Sequence, residues 1–161
     1  METMRPVMKP LSSRRLTGAE RALAAEMFGD GLDADRVRLF ALPVWTLAFV
    51  AGPRLMVWPA RAARADFGAA GTPLSVQGVF VHELTHVWQA QNGVRLLLAK
   101  LKAGDSHASY AYDLTDSPAF ARLNIEQQAM VVQHAFLASR GGATPHPPEV
   151  YARARPSWRR G

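Results

Sequence analysis

The chain contains no cysteine. That excludes a disulfide framework, a cysteine nucleophile and any thiolate-bound metal, so a metal ion here must be held by imidazole and carboxylate. Lysine is scarce: sixteen of the 19 basic residues are arginine and three are lysine. No apolar run reaches the length of a membrane span. The most apolar stretch, VWTLAFVAGPRLMVW at 44–58, is interrupted by Gly52-Pro53 and Arg54 and predicts strands instead. The opening METMRPVMKPLSSRRLTG lacks the apolar core of a signal peptide, which leads to the expectation that the chain is cytoplasmic as synthesised.

What is present suits one compact domain. The 161 residues are 48% apolar and 20% charged, enough to bury a core and too apolar for disorder. The net charge is +6, with a pI near 10.5. The basic residues are scattered apart from Arg14-Arg15 and the tail residues Arg153, Arg155, Arg159 and Arg160. With no nucleic-acid motif and no basic recognition helix, the charge reads as a solvated face and no nucleic-acid partner is expected.

Residues 1–16 read as a flexible arm. Thr17-Gly18-Ala19-Glu20 forms a capping-box pattern, and Leu23, Met27 and Phe28 follow at helical spacing until Gly29 and Gly31. Arg36 to Phe40 alternates as a strand, and Val44–Val50 with Arg54–Trp58 reads as a hairpin about Gly52-Pro53. A helix is predicted from Thr72 near N-cap and Pro73 near N1 to about Asn92, stopping at Gly93. A short helical piece follows at 94–102, then a loop. Ser117-Pro118 opens another helix running through Glu126 and Phe136 to Gly141-Gly142. Residues 142–161, rich in proline and arginine, read as an irregular basic tail, leaving 17–141 as the domain.

The predicted central helix carries VFVHELTHVWQAQNG at 79–93, with His82-Glu83-Leu84-Thr85-His86 inside it. Histidines four apart share one helix face and can reach one Zn²⁺, while Glu83 stands beside them as a proton acceptor. The flanks are uncharged, as a buried helix requires. The bland alternative is a pair of core histidines, but burying His82, Glu83 and His86 together without a partner is costly. Zinc requires a third protein ligand. A metzincin-like continuation is absent, since position 89 is Gln and position 92 is Asn. Of the downstream carboxylates, Glu126 lies on a strong helix with Ile125, Ala129, Val132 and Phe136 placed to pack it on the zinc helix. Asp113 and Asp116 are the alternatives, and the ordinary reading of Glu126 is a solvated helix residue. For oxyanion stabilisation the candidates are Tyr110, Tyr112 and His134, with Tyr112 ranked first. His107 and His146 read as bystanders.

Three pieces in order, FGDGLDADRVRLF at 28–40, VFVHELTHVWQAQNG at 79–93 and NIEQQAMVVQHAF at 124–136, together with LTGAERALAAEMFGD at the start, give the chain a likeness to a family. Over roughly residues 15–140 it resembles short bacterial proteins labelled Vgr-related and the metallopeptidase-like core domain of extracellular contractile injection systems. The resemblance implies an α+β, gluzincin-like zinc fold, with a small antiparallel sheet and the HExxH helix packed on a Glu-bearing helix. It further implies His82, His86 and Glu126 as zinc ligands, Glu83 as general base, and a peptide or protein substrate. It also implies a link to a type VI or related secretion machine, with spike components as partners and export by that machine.

Overall fold

The computed structural model describes residues 7–103, 110–114 and 119–159. The start of the N-terminal arm, the helix opening at Ser117-Pro118, and Asp105, His107 and Asp116 lie outside the described residues.

The chain is α+β. Strand β1 (Ser13–Arg15) leads into helix α1 (Gly18–Phe28), two short 3-10 turns, β2 (Arg38–Leu42), and the hairpin β3 (Phe49–Gly52) and β4 (Leu55–Pro59). Helices α2 (Leu74–Gln91), α3 (Leu96–Ala103), α4 (Ala119–Arg122), α5 (Ile125–Ser139), α6 (Pro148–Ala154) and α7 (Pro156–Arg159) complete it. The capping box at α1 forms: the Glu20 amide donates to Thr17 Oγ1 at 3.1 Å and the Thr17 amide to Glu20 Oε2 at 2.9 Å. Glu20 is fully buried and also receives a two-pronged bond from Arg14 and the Phe67 amide, which ties β1 and the 59–73 loop to α1.

The sheet corrects the antiparallel expectation. Its order is β1-β2-β4-β3, with β2 and β4 parallel, from Arg38 opposite Leu55 to Leu42 opposite Pro59. The 43–48 loop carries the chain past the place beside β2, so β3 becomes the edge and β4 turns back into the gap. The apolar run Met56-Val57-Trp58 explains the choice, since all three are buried and an inner strand covered on both faces needs such a run.

The two ends also depart from the sequence reading. Part of the expected arm is built into the fold: Ser13–Arg15 pairs with β2, and Met8 and Leu16 are buried. The expected irregular tail contains α6 and α7, which bury Tyr151 and Trp158 in the core. Trp158 packs against Phe120, ring centroids 4.9 Å apart.

Helix α2 is the central element. It meets β3 and β4 on one side and α5 on the other. Gly78 permits the close crossing with α5, because a Cβ there would stand 3.1 Å from Leu137 Cδ2. Gly93 terminates the helix region in the left-handed conformation, φ 91°, as a C′ glycine does. Pro73 occupies the N-cap, one position earlier than its expected N1 place.

Candidate metal centre

The long downstream helix expected from Ser117 is interrupted at Leu123-Asn124. Asn124 caps α5 by a second capping box: the Gln127 amide donates to Asn124 Oδ1 at 2.8 Å and the Asn124 amide to Gln127 Oε1 at 2.9 Å. That break puts Glu126 in the first turn of α5, where the helix dipole favours a carboxylate. As expected, Ile125, Ala129, Val132 and Phe136 are buried, and they bring Glu126 to face the two histidines.

His82, His86 and Glu126 converge: one ligand atom from each lies within 4.8 Å of the others. Glu126 Oε2 is 3.2 Å from His82 Nε2 and 3.4 Å from His86 Nε2. All three residues are buried. The other imidazole nitrogens are occupied. His82 Nδ1 meets Gln133 Oε1 at 3.0 Å, and His86 Nδ1 meets Gln89 Oε1 at 2.8 Å. The orientation of Gln89 is fixed by its own amide, which donates to the Ile125 carbonyl at 2.9 Å and to Gln128 Oε1 at 3.0 Å. An amide oxygen only accepts, so each Nδ1 carries a proton. In the neutral imidazoles both unprotonated Nε2 atoms then lie within 3.4 Å of one carboxylate oxygen. Three acceptors facing one point repel unless a cation or added protons stand between them.

A four-coordinate zinc with bonds of about 2.0–2.2 Å holds neighbouring donors about 3.4 Å apart. The two carboxylate–imidazole separations, 3.2 and 3.4 Å, match that spacing, and the donors are imidazole and carboxylate only. The residues therefore fit Zn²⁺ as three protein ligands of the types it takes.

Protonation reflects the same crowding. Burial works to raise the Glu126 carboxyl, but the hydrogen bonds from His82 and His86 outweigh it and hold the carboxyl well below the usual range. Burial works to lower His86, yet the bond to Glu126 and the field of Glu83 carry it above its ordinary value. Glu83 is 7% exposed and its Oε2 has no hydrogen-bond partner among the described residues. Burial pushes its carboxyl up, against the opposing pull of His86 and His82.

The Tyr112 hydroxyl pairs with His134 Nδ1 and with the Tyr151 hydroxyl, both at 2.7 Å, and His146 stacks near it. Among the described residues no hydrogen bond or ring contact joins Tyr112 to His82, His86 or Glu126. Burial lowers the His134 imidazole, with His82 and His146 adding to the effect. Asp113, an alternative ligand, lines a separate cleft with Arg122 and Gln127.

Sequence reasoning missed Gln89, Gln133 and Lys100. Lys100 Nζ donates to the second Glu126 oxygen, Oε1, at 3.1 Å and to the Tyr110 hydroxyl at 3.3 Å. Helical spacing from the motif could have flagged Gln89, three residues after His86. No local signal marks Gln133 or Lys100, because other helices bring them in.

No protein-family model matches the chain. It is 34% identical over 136 residues to the type VI secretion system spike protein VgrG2b of Pseudomonas aeruginosa, a match covering 78% of this chain and 13% of that protein's length. The solved effector domain of Pseudomonas aeruginosa VgrG2b superposes with a TM-score of 0.68 at 30% identity, covering 97% of this chain and 88% of that one.

Proposed function

The chain belongs to the family of the VgrG2b effector domain, and from that premise we propose that it is a small gluzincin-like, zinc-dependent peptidase that works with a type VI secretion system. The observation that carries the chemistry is the convergence of three buried acceptors, with both Nδ1 atoms held by amide oxygens. In this reading His82 Nε2, His86 Nε2 and Glu126 Oε2 hold Zn²⁺. The ion, when bound, supplies a Lewis acid that lowers the pKa of a water towards neutrality and polarises a peptide carbonyl.

The chain's own residues do the rest. Gln133 and Gln89 fix the tautomers so that Nε2 of each imidazole faces the ion. Lys100 occupies Glu126 Oε1, so Glu126 presents Oε2. Glu83 Oε2, raised by burial and without a partner among the described residues, accepts the proton of the attacking water and returns it to the leaving amine nitrogen. The Tyr112 hydroxyl is engaged by His134 and Tyr151, so we assign it to holding His134 and give it no catalytic step. The substrate is a peptide or protein. The route of export is that of the secretion spike, consistent with relatedness to part of a spike protein.

Elemental analysis and a peptidase assay on wild type and Glu83→Gln test this. About one zinc per chain is expected in both proteins. The variant's cleavage rate should fall by about 10²–10⁴-fold, the worth of a positioned proton acceptor. Absence of zinc, or a full rate in Glu83→Gln, would overturn the reading.

A second reading, a zinc-stabilised docking module without catalysis, draws on the exposed Leu97, Leu98 and Leu101 of α3. It predicts that chelation lowers the melting temperature while Glu83→Gln leaves spike binding unchanged.

A further inference from the structure

A cleft of about 450 Å³ opens at the N-terminal half of α2, within the range of small-ligand sites. Ser75, Val76 and Val79 form one wall. Each helical residue advances by about 100°, so positions 75, 76, 79, 82, 83 and 86 share an arc of about 120°. Val79, 40% exposed, thus stands on the stripe of His82, Glu83 and His86, one turn before them. The rise from Val79 to His82 is about 4.5 Å. An extended peptide covers about 3.3–3.6 Å per residue, so the cleft lies one or two residues from the bond over the triad.

The other walls say what would bind. Trp58, 5% exposed, supplies an apolar wall together with Ala62 and Val7. Arg61 and Arg64 also line the cleft, and neither guanidinium has a partner among the described residues. An apolar floor with two spare cations suits an anionic acceptor on an apolar stem. Resting on the peptidase reading above, we infer that this cleft is the subsite that selects the substrate, taking a residue with an apolar stem that ends in a carboxylate. The carboxylate is that of an acidic side chain or that of the peptide's own C-terminus.

The test uses the full chain carrying Glu83→Gln and fluorescein-labelled hexapeptides that differ at one central residue, glutamate, glutamine or lysine, each with an amidated C-terminus. The glutamine peptide is also made with a free C-terminal carboxylate. Anisotropy should show the glutamate peptide, the free-carboxylate peptide or both binding about ten-fold tighter than the amidated glutamine peptide. Which one gains identifies the source of the carboxylate. Arg61→Gln with Arg64→Gln should remove that gain and leave the glutamine peptide, the zinc content and the melting temperature unchanged. Arg61→Glu with Arg64→Glu should turn the preference to lysine. Equal binding of all peptides, no binding of any, or equal loss of every peptide in the arginine variants overturns the subsite. A charge preference in Glu83→Gln, with neither zinc nor cleavage in the wild type, would retain the subsite and sink the peptidase. Cleavage by the wild type without a charge preference in Glu83→Gln would do the reverse.

Discussion

Replacing Gln89 with leucine removes three hydrogen bonds while nearly preserving volume. Gln89 is fully buried, accepts from His86 Nδ1 at 2.8 Å, and donates to the Ile125 carbonyl and Gln128 Oε1. Leucine leaves the His86 Nδ1–H and Gln128 Oε1 without those partners. A lost bond costs about 1 kcal/mol net and a stranded buried donor about 1–3, so the metal-free protein should lose about 2–4 kcal/mol. For a chain of this size that is a melting-temperature drop of roughly 6–12 °C. Losing an orienting partner weakens metal affinity by about 10–100-fold. Competition against a chromophoric chelator measures the affinity, and thermal unfolding with and without chelator measures the stability. Gln89→Glu separates the two effects. Its carboxylate still accepts from Nδ1 but cannot donate to Ile125 or Gln128, so zinc affinity should hold while stability falls. If Gln89→Leu bound zinc within about two-fold of wild type, Gln89 would not be orienting His86 in the manner of such partners, and the three converging acceptors would not owe their arrangement to a metal.

Lys100→Met frees Glu126 Oε1 and should weaken zinc binding about ten-fold, with Lys100→Arg restoring most of it; equal affinity in all three proteins would remove Lys100 from the site. Zinc must displace the proton that Glu126 and Glu83 hold on His86, so zinc affinity should fall as pH drops, beginning above the ordinary histidine value of about 6.5. In the metal-free protein His86 and Glu83 are both raised. Their stabilising contribution is therefore complete below the unfolded-state values and is lost as pH rises through the raised ones. Metal-free melting should decline once pH passes about 4.5 for Glu83 and about 6.5 for His86, and zinc should cancel the His86 part of the decline; a pH-independent difference between the two forms would contradict this. Trp158→Ala should cost about 3–5 kcal/mol in denaturant unfolding, because the ring is fully buried against Phe120; a cost near zero would make the C-terminal segment an appendage.

Some of this was legible in residue order because it is local. Histidines four apart meet on one face of any helix, so His82, Glu83 and His86 needed no partner element to be recognised. The capping box at Thr17 and Glu20 and the stop at Gly93 are likewise decided within one turn. The absence of cysteine limited any metal to imidazole and carboxylate. Even Asn124 and Gln127 spelled a second cap, although the run of helix formers around them read as one continuous helix. The remainder depends on which elements pack together. Composition around Trp158 looked like a basic tail, and only a core with room for its ring draws α6 and α7 in. The edge position of β3 and the parallel pairing of β4 follow from competition for the inner place in the sheet, which no short window of residues expresses. Glu126, Gln133 and Lys100 reach the histidines across 44, 51 and 26-residue separations or through one another. Spacing along the chain therefore identified the two imidazoles and the neighbouring carboxylate. Glu126 could be singled out by its helix and its apolar neighbours, but its approach to the histidines and the side chains that orient them were decided by how α3 and α5 pack around α2, because hydrogen bonds of about 3 Å are set by packing and not by order in the chain.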